Sequence, residues 1–376
     1  MMQSPPDPGM RILHFINHIE PFNGHVHVAV DLACGQADLG FPVGVASRGG
    51  NEFEPILAAH HVRHWRVDPA RRPLKLLRAV IELWRAIRAF QPDIIHAHMM
   101  TSAVLAALLK PFFRFKLVTT VHNEFERSAV LMGLGDRVVA VSRQVAASME
   151  RRGIPREKLR VVLNGPLDSP RLPPPAPPAK SLARPAIVFV GSLTPRKGVG
   201  DLIEAFRIVA PRHPAACLYL LGWGPAAEHY LVQAARVGLA GRILFCFALP
   251  DPRPWLLGAD IFVLPSLQEP GGLVLAEARA AGCAVIATDV GGNAEMLDEG
   301  RAGLLVPPQR PDLLAEAILR LLDHPAELAL WRKKAQLNVE TFQVGRVVRD
   351  YLAIYEDALA GRDVTAPKSG ADDSAR

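Results

Sequence analysis

Short runs of Val, Ile and Leu recur along this chain, separated by stretches in which apolar residues return every three or four positions. In the first half the runs fall at Ile12 to Ile16, Val43 to Ala46, Ile94 to His96, Leu117 to Val121, Val138 to Val141 and Val161 to Leu163. The second half repeats them at Ile187 to Val190, Leu218 to Leu221, Ile243 to Phe247, Ile261 to Leu264, Val285 to Ala287 and Leu304 to Val306. Short, almost wholly apolar runs fit strands buried on both faces, and their alternation with helical periodicity fits parallel sheets wrapped by helices. The pattern predicts an α/β protein of two doubly wound domains facing across a cleft. Residues 1–165 form the first domain, 181–340 the second, and 166–180 a proline-rich linker that can join neither a helix nor a central strand. Val347, Val348, Tyr351, Ile354 and Tyr355 lie at helical spacing, so a helix within 341–360 must pack on something, whereas 361–376 reads as a disordered tail.

Composition narrows the class. With 376 residues, 49% of them hydrophobic, the chain can bury two cores of ordinary size. Its formal charge of +6 suits anionic partners. No aromatic-basic RNA motif, zinc finger or helix-turn-helix pattern accompanies that charge, so nucleic acid is not expected as a partner. Cys34, Cys217, Cys246 and Cys283 form no C-x-x-C pair and are expected as buried thiols in a reducing compartment. Residues 1 to 9 lack the pattern of a signal peptide and no run approaches ~18 apolar residues, which predicts a cytoplasmic location, peripheral on the membrane at most.

Open parallel sheets bind ligands at the carboxyl ends of their strands, and candidate chemistry follows the strands here. After Ile261–Leu264 comes Pro265-Ser266-Leu267-Gln268-Glu269-Pro270-Gly271-Gly272-Leu273, then an alanine-rich helix carrying Glu277. A helix starting near Gly272 presents the amides of Gly271, Gly272 and Leu273, which suit a phosphate. Eight residues at ~1.5 Å each would part Glu269 from Glu277 by ~12 Å, about the span from ribose to sugar in a nucleotide sugar. Either glutamate alone would more often be a solvated acid. After Ile187–Val190, Arg196 and Lys197 sit on a turn from which a basic pair can reach a diphosphate. Gly222-Trp223-Gly224-Pro225 follows the next strand, and Pro225 is expected to open a helix.

In the first domain His122 ends a strand and can hydrogen-bond a sugar hydroxyl. Gly24 would let the backbone approach a phosphate or an acceptor, with Asn23 imitating glycine at positive φ. His96 and His98 lie two apart at a strand end, but no carboxylate or cysteine joins them as a third ligand, so no metal is expected.

The order of these elements is specific. Glu269 and Glu277 in E-x7-E spacing, the strand Ala284-Val285-Ile286-Ala287-Thr288 and the turn Gly291-Gly292-Asn293-Ala294-Glu295 together resemble the family 4 retaining glycosyltransferases of the GT-B fold. The resemblance covers nearly the whole chain after residue 10 and is strongest from Arg184 to Pro307. It implies two Rossmann-like domains, an N-terminal acceptor domain and a C-terminal nucleotide-sugar domain, with the last helix packing back on the first. It further implies a retaining hexosyltransferase that takes a nucleotide diphosphate sugar, UDP-linked, and an acceptor hydroxyl on a cell-surface glycan or lipid-linked precursor, as in polysaccharide or lipopolysaccharide synthesis, without a metal or other cofactor. In that reading Glu269 and His122 serve the transferred sugar, Glu277 the ribose, Lys197 and Arg196 the diphosphate, and Gly24 and the amides of Gly271 to Leu273 the donor. The chain departs from the family pattern at Ser192, where an arginine is usual, at Asn23, and in the short segment Asn123 to Arg137, which shapes the acceptor side. Two other readings remain: a nucleotide-sugar epimerase of the same architecture, and a catalytically silent nucleotide-sugar-binding protein.

A membrane surface is the last expected partner. The helix Leu74 to Phe90 carries Lys75, Arg78, Glu82 and Arg85 on one side and Leu77, Val80, Ile81, Trp84 and Ile87 on the other, the apolar side being expected to pack on the sheet. Beside it, Lys110-Pro111-Phe112-Phe113-Arg114-Phe115-Lys116 combines three phenylalanines with basic residues, a composition suited to anionic lipid.

Overall fold

A computed structural model describes residues 9–20, 23–50, 52–70, 72–172, 182–247 and 251–360. The first sheet contains β1 (Ile12–Phe15), β2 (Val43–Ser47), β3 (Arg63–Arg66), β4 (Ile94–Ala97), β5 (Lys116–Val121), β6 (Arg137–Ala140) and β7 (Leu159–Val161), ordered β3-β2-β1-β4-β5-β6-β7. The second contains β8 (Ala186–Val190), β9 (Cys217–Leu221), β10 (Ile243–Cys246), β11 (Ile261–Leu264), β12 (Ala284–Thr288) and β13 (Leu304–Val306), ordered β10-β9-β8-β11-β12-β13. Every strand pairing is parallel. The strand order reverses between β1 and β4 and again between β8 and β11, and such switch points open a crevice at the strands' carboxyl ends.

These are the two doubly wound, Rossmann-like sheets that the apolar runs predict, with one shift, the last strand of the first sheet being Leu159–Val161 where Val161 to Leu163 was expected, and one addition. β3 reads Arg63-His64-Trp65-Arg66, has no apolar run, and lies at the edge of its sheet, where charged residues are tolerated and discourage pairing with other chains.

The first sheet has apolar cores on both faces. One is built with the helix Gly24–Asp38 and the C-terminal helix Val344–Ala360, whose Val347, Val348, Tyr351, Leu352 and Tyr355 pack against Val26, Ala29 and Ala33. The chain crosses between the halves twice, and the crossings run side by side: Leu167 N donates to Phe342 O at 3.0 Å and Val344 N to Leu167 O at 2.8 Å. The outgoing crossing is pinned by Arg171, which forms two bonds of 2.7 and 2.9 Å with the buried Asp31 carboxylate. Ser169 donates to the same carboxylate at 2.7 Å. The remainder of the proline-rich stretch from 173 to 180, and the tail from 361 to 376, lie outside the described residues.

The helix Pro73–Phe90 packs inward through part of the expected face, Val80, Trp84 and Ile87, but leaves Leu77 and Ile81 outside. Ala79, Leu83, Ala86, Ile87 and Phe90 are buried, whereas Leu74, Leu77 and Ile81 are 84%, 62% and 46% exposed. Phe115 is buried, Phe113 is packed on Trp84 with ring centroids 4.6 Å apart, and Phe112 is 66% exposed. Cys34 and Cys283 are buried but Cys217 and Cys246 are partly exposed, and none is disulfide-bonded. No described helix is long and apolar enough to cross a membrane.

Candidate functional site

The site is assembled where β8 and β11 end. β8 leads into a single helical turn, Pro195–Lys197, closed by Gly198 at φ +65°, a conformation glycine adopts without steric cost. A Cβ at Gly198 would fall 1.9 Å from the carbonyl oxygen of Pro265, so the turn is pressed against the loop leaving β11. The carbonyl of Arg196 accepts from Leu267 N at 2.7 Å and from Gln268 N at 3.3 Å, and the two loops share one backbone frame.

That frame brings Lys197 Nζ onto Glu269 Oε2. Ser266 Oγ donates to the same carboxylate oxygen at 3.0 Å. The side chains of Lys197 and Glu269 are only 11% and 7% exposed. Glu269 is fixed from behind as well, since its carbonyl accepts from Gly292 N at 2.9 Å. Gly291, at φ +57°, approaches so closely that a Cβ there would lie 1.6 Å from that carbonyl oxygen. The G-G-x-x-E turn therefore mounts Glu269, and its Glu295 clasps the two domains: Oε1 accepts from Arg143 N at 2.7 Å and Gln144 N at 3.3 Å, at the start of the helix Arg143–Arg151.

The helix Leu273–Ala280 begins at Gly272 as the sequence implies, without a side-chain cap. Its first amides thus remain available to an anion. Gly271 faces the first domain, its carbonyl accepting from Asn164 Nδ2 at 3.4 Å. Leu273 packs on the core of the first domain, and a Cβ at Gly24 would meet Leu273 Cδ1 at 3.3 Å. The starts of the helices Gly24–Asp38 and Leu273–Ala280 consequently meet across the cleft. Asn23 does not imitate glycine: it is extended at φ −119°, because it caps a helix that Gly24 already starts.

The remaining donor-side residues occupy different settings. Glu277 is half-buried, and burial pushes its carboxyl up to about 7 although Arg171 draws it the other way; Asp251 also raises it and Arg253 opposes. Arg196 is exposed and donates to the carbonyl of Gln268 at 3.3 Å, so it stands apart from the buried Lys197–Glu269 pair. Ser192 Oγ lies 3.5 Å from Thr194 Oγ1. Gly222-Trp223-Gly224 packs on the turn after β8, with Leu193 N donating to Trp223 O at 3.1 Å, and the helix Ala227–Arg236 starts two residues after Pro225, not at it.

On the opposite wall His122 follows β5 and lies 3.2 Å, Nε2 to Nδ1, from His98. Burial depresses His122 to about 3. The His25 ring centroid is 6.1 Å from that of His122, and His25 Nε2 is buried with no hydrogen-bond partner among the described residues. Sequence reasoning missed Glu124. Its Oε2 is also buried without a partner among the described residues; burial raises its pKa, and the charge of Glu269 adds to the effect. Arg152 holds this loop by donating to the carbonyls of Glu124, Glu126 and Arg127. An acidic residue two places after a strand-end histidine was the available signal.

His14, on β1, was also missed. It joins His96 and His98, with one ring nitrogen of each within 4.8 Å of the others. Both ring nitrogens of all three histidines are already hydrogen-bonded. A dication there would break those bonds with no carboxylate to offset its buried charge.

Two family profiles match the chain: "Glycosyltransferase Family 4" over residues 22–166 and "Glycosyl transferases group 1" over residues 184–324. A glycogen synthase of Mycobacterium tuberculosis is 32% identical over 264 residues, 64% of this chain, and the match spans 62% of that protein's length. A D-inositol 3-phosphate glycosyltransferase of Thermobispora bispora is 27% identical over 90% of each chain. Among solved structures, Anabaena Alr3699/HepE in complex with UDP has a similar fold, with TM-score 0.77 and 22% identity over 93% of this chain and 100% of that one.

Proposed function

Since the chain belongs to the family 4 glycosyltransferases of the GT-B fold, we propose that it transfers a hexosyl group from a UDP-sugar to a hydroxyl of a cell-surface glycan or lipid-linked precursor, with retention at the anomeric carbon. The observation that carries this reading is the placing of Lys197, Glu269 and the start of the helix Leu273–Ala280 together at the switch point of the second sheet. The crystal complexes of Anabaena HepE with UDP and UDP-glucose support the choice of donor.

The chemistry follows from the charges. An incoming diphosphate competes with Glu269 for the Lys197 ammonium and takes up the first amides of the 273–280 helix. Glu269, released but still oriented by Ser266, accepts hydroxyl hydrogens from the sugar, as Glu277 does from the ribose. His122 bonds a sugar hydroxyl from the other wall. The bond between the anomeric carbon and the phosphate oxygen then breaks, and its electron pair stays on the phosphate. Lys197 and the helix amides stabilise that charge. The acceptor oxygen attacks from the face the phosphate leaves, and its proton passes to the departing phosphate oxygen. Lys197 and the helix amides do the electrostatic work of a metal, so chelators should leave turnover unchanged. The exposed stripe of Leu74, Leu77, Ile81 and Phe112, set among Lys75, Arg78 and Arg85, suits an anionic membrane carrying a lipid-linked acceptor.

Incubation with labelled UDP-sugars tests the reading. Labelled glycoside of unchanged anomeric configuration supports it, an inverted product removes the retaining step, and free epimerised nucleotide sugar establishes the epimerase instead.

A further inference from the structure

A chain of buried side chains leads from the core of the first domain to His122. Gln36, on the helix Gly24–Asp38, places Oε1 2.8 Å from His14 Nε2. His14 Nδ1 lies 3.0 Å from His98 Nε2, and His98 Nδ1 lies 3.2 Å from His122 Nε2. His14 and His98 are 0% and 1% exposed, and burial lowers His14 to about 4 and His98 well below its ordinary value. The rings are therefore neutral, each with one N–H and one bare nitrogen.

Neutrality gives the chain a direction. An amide oxygen can only accept, so His14 carries its hydrogen on Nε2 and offers bare Nδ1. His98 must then donate from Nε2, which leaves its Nδ1 to accept from His122. His122 donates from Nε2 in turn, and its Nδ1 is left unprotonated. Turning the Gln36 amide over would reverse every bond and put the last hydrogen on His122 Nδ1. At its other end the amide's Nε2 donates to Tyr355 OH at 3.4 Å. Tyr355 OH lies 2.7 Å from His96 Nδ1, and His96 Nε2 lies 2.7 Å from Thr120 Oγ1, itself 3.0 Å from Tyr351 OH. Both tyrosines belong to the C-terminal helix Val344–Ala360.

We propose that Gln36, His14 and His98 are positioning residues that fix His122 as its Nε2–H tautomer, so that Nδ1 is a hydrogen-bond acceptor for a donor-sugar hydroxyl. The tautomer follows from neutral rings and from the amide orientation, Oε1 toward His14; its use on a sugar rests on the transferase reading. Gln36→Met removes the acceptor that starts the chain.

The test is long-range ¹H–¹⁵N correlation spectroscopy of the full chain labelled at histidine, at neutral pH. The wild type should show His122 protonated at Nε2 and bare at Nδ1. Gln36→Met should show mixed tautomers, with kcat lowered in proportion to the fraction protonated at Nδ1, about twofold for an even mixture, and UDP affinity unchanged. A wild type protonated at His122 Nδ1 overturns the proposal, even if the variant does not fold. A folded Gln36→Met with an unaltered tautomer overturns it as well. A protein that shows the expected tautomer but has no activity on any UDP-sugar would instead count against the transferase reading.

Discussion

Lys197 and Glu269 form a buried ion pair, and this changes what their substitution should do. Two solvated charges could be replaced with a loss of activity and little change in melting temperature. In the structure each charge neutralises the other inside a site that is almost closed to solvent. Removing one partner leaves the other buried and uncompensated, at a cost of about 3–5 kcal/mol, whereas removing both charges together is close to neutral. Calorimetric unfolding should therefore show Lys197→Ala with a clearly lowered Tm and the double variant Lys197→Met/Glu269→Gln largely restored. Equal Tm for Lys197→Ala and the wild type would mean the pair is solvated in solution.

At the scale of elements, the membrane is the sharper issue. The helix Pro73–Phe90 buries its alanine face and exposes Leu74, Leu77 and Ile81, while the Trp84 ring, 5.4 Å from that of Phe112, bridges this helix to the loop after the helix Met100–Leu109. Each basic residue near an anionic surface adds about 1 kcal/mol, enough with a few inserted apolar side chains for reversible binding that weakens with salt. The chain should co-sediment with anionic but not neutral liposomes, and Leu77→Ser/Phe112→Ser should reduce recovery; equal recovery with both lipid types would remove the membrane from the account. Periodicity revealed that this helix is amphipathic but not which stripe it buries, because large apolar residues lie on both stripes: Leu83, Ile87 and Phe90 inside, Leu74, Leu77 and Ile81 outside. The charged edge strand β3 escaped because it has no apolar run. Strands such as β11 and β13 were legible to the residue, since each is a short apolar run bounded by Asp260 and Pro265 or by Gly303 and Pro307. The start of the 273–280 helix was equally plain from Pro270, Gly271 and Gly272 ahead of an alanine-rich run.

Across the whole molecule, the polar interior could not be read from sequence, because its partners are far apart in the chain: His14 and His98 are separated by 84 positions, Gln36 and Tyr355 by 319. Lys197 and Glu269, 72 apart, were found only because each lay in a recognisable motif. The buried histidines give the fold a pH signature. Burial lowers His14 and His25 to about 4 and His27 and His122 to about 3, with His96 and His98 well below their ordinary value. Below the ordinary histidine value of 6.5 the unfolded chain binds protons that the native state refuses, so stability falls as pH drops through 6.5 toward 4, by up to about 1.4 kcal/mol per pH unit for each histidine. Glu277, raised to about 7, has the opposite sign, since the native state holds its proton between about 4.5 and 7, as do the smaller upward shifts of Asp31, Glu124 and Glu295. The larger histidine shifts prevail, and scanning calorimetry should show Tm falling between pH 6.5 and 5; a flat profile would mean the histidines are not buried neutral.

The central claim is that Lys197, Glu269 and the helix start beside them act on a nucleotide sugar. Its most direct measurement is turnover of labelled UDP-sugars by the wild type beside Lys197→Ala, at a temperature where both are folded. The account predicts that the wild type cleaves at least one UDP-sugar, by transfer or slowly to water, and that the variant is at least about a hundredfold slower, the usual cost of removing one electrostatic contact from a developing phosphate charge. Equal turnover by the two proteins would contradict it.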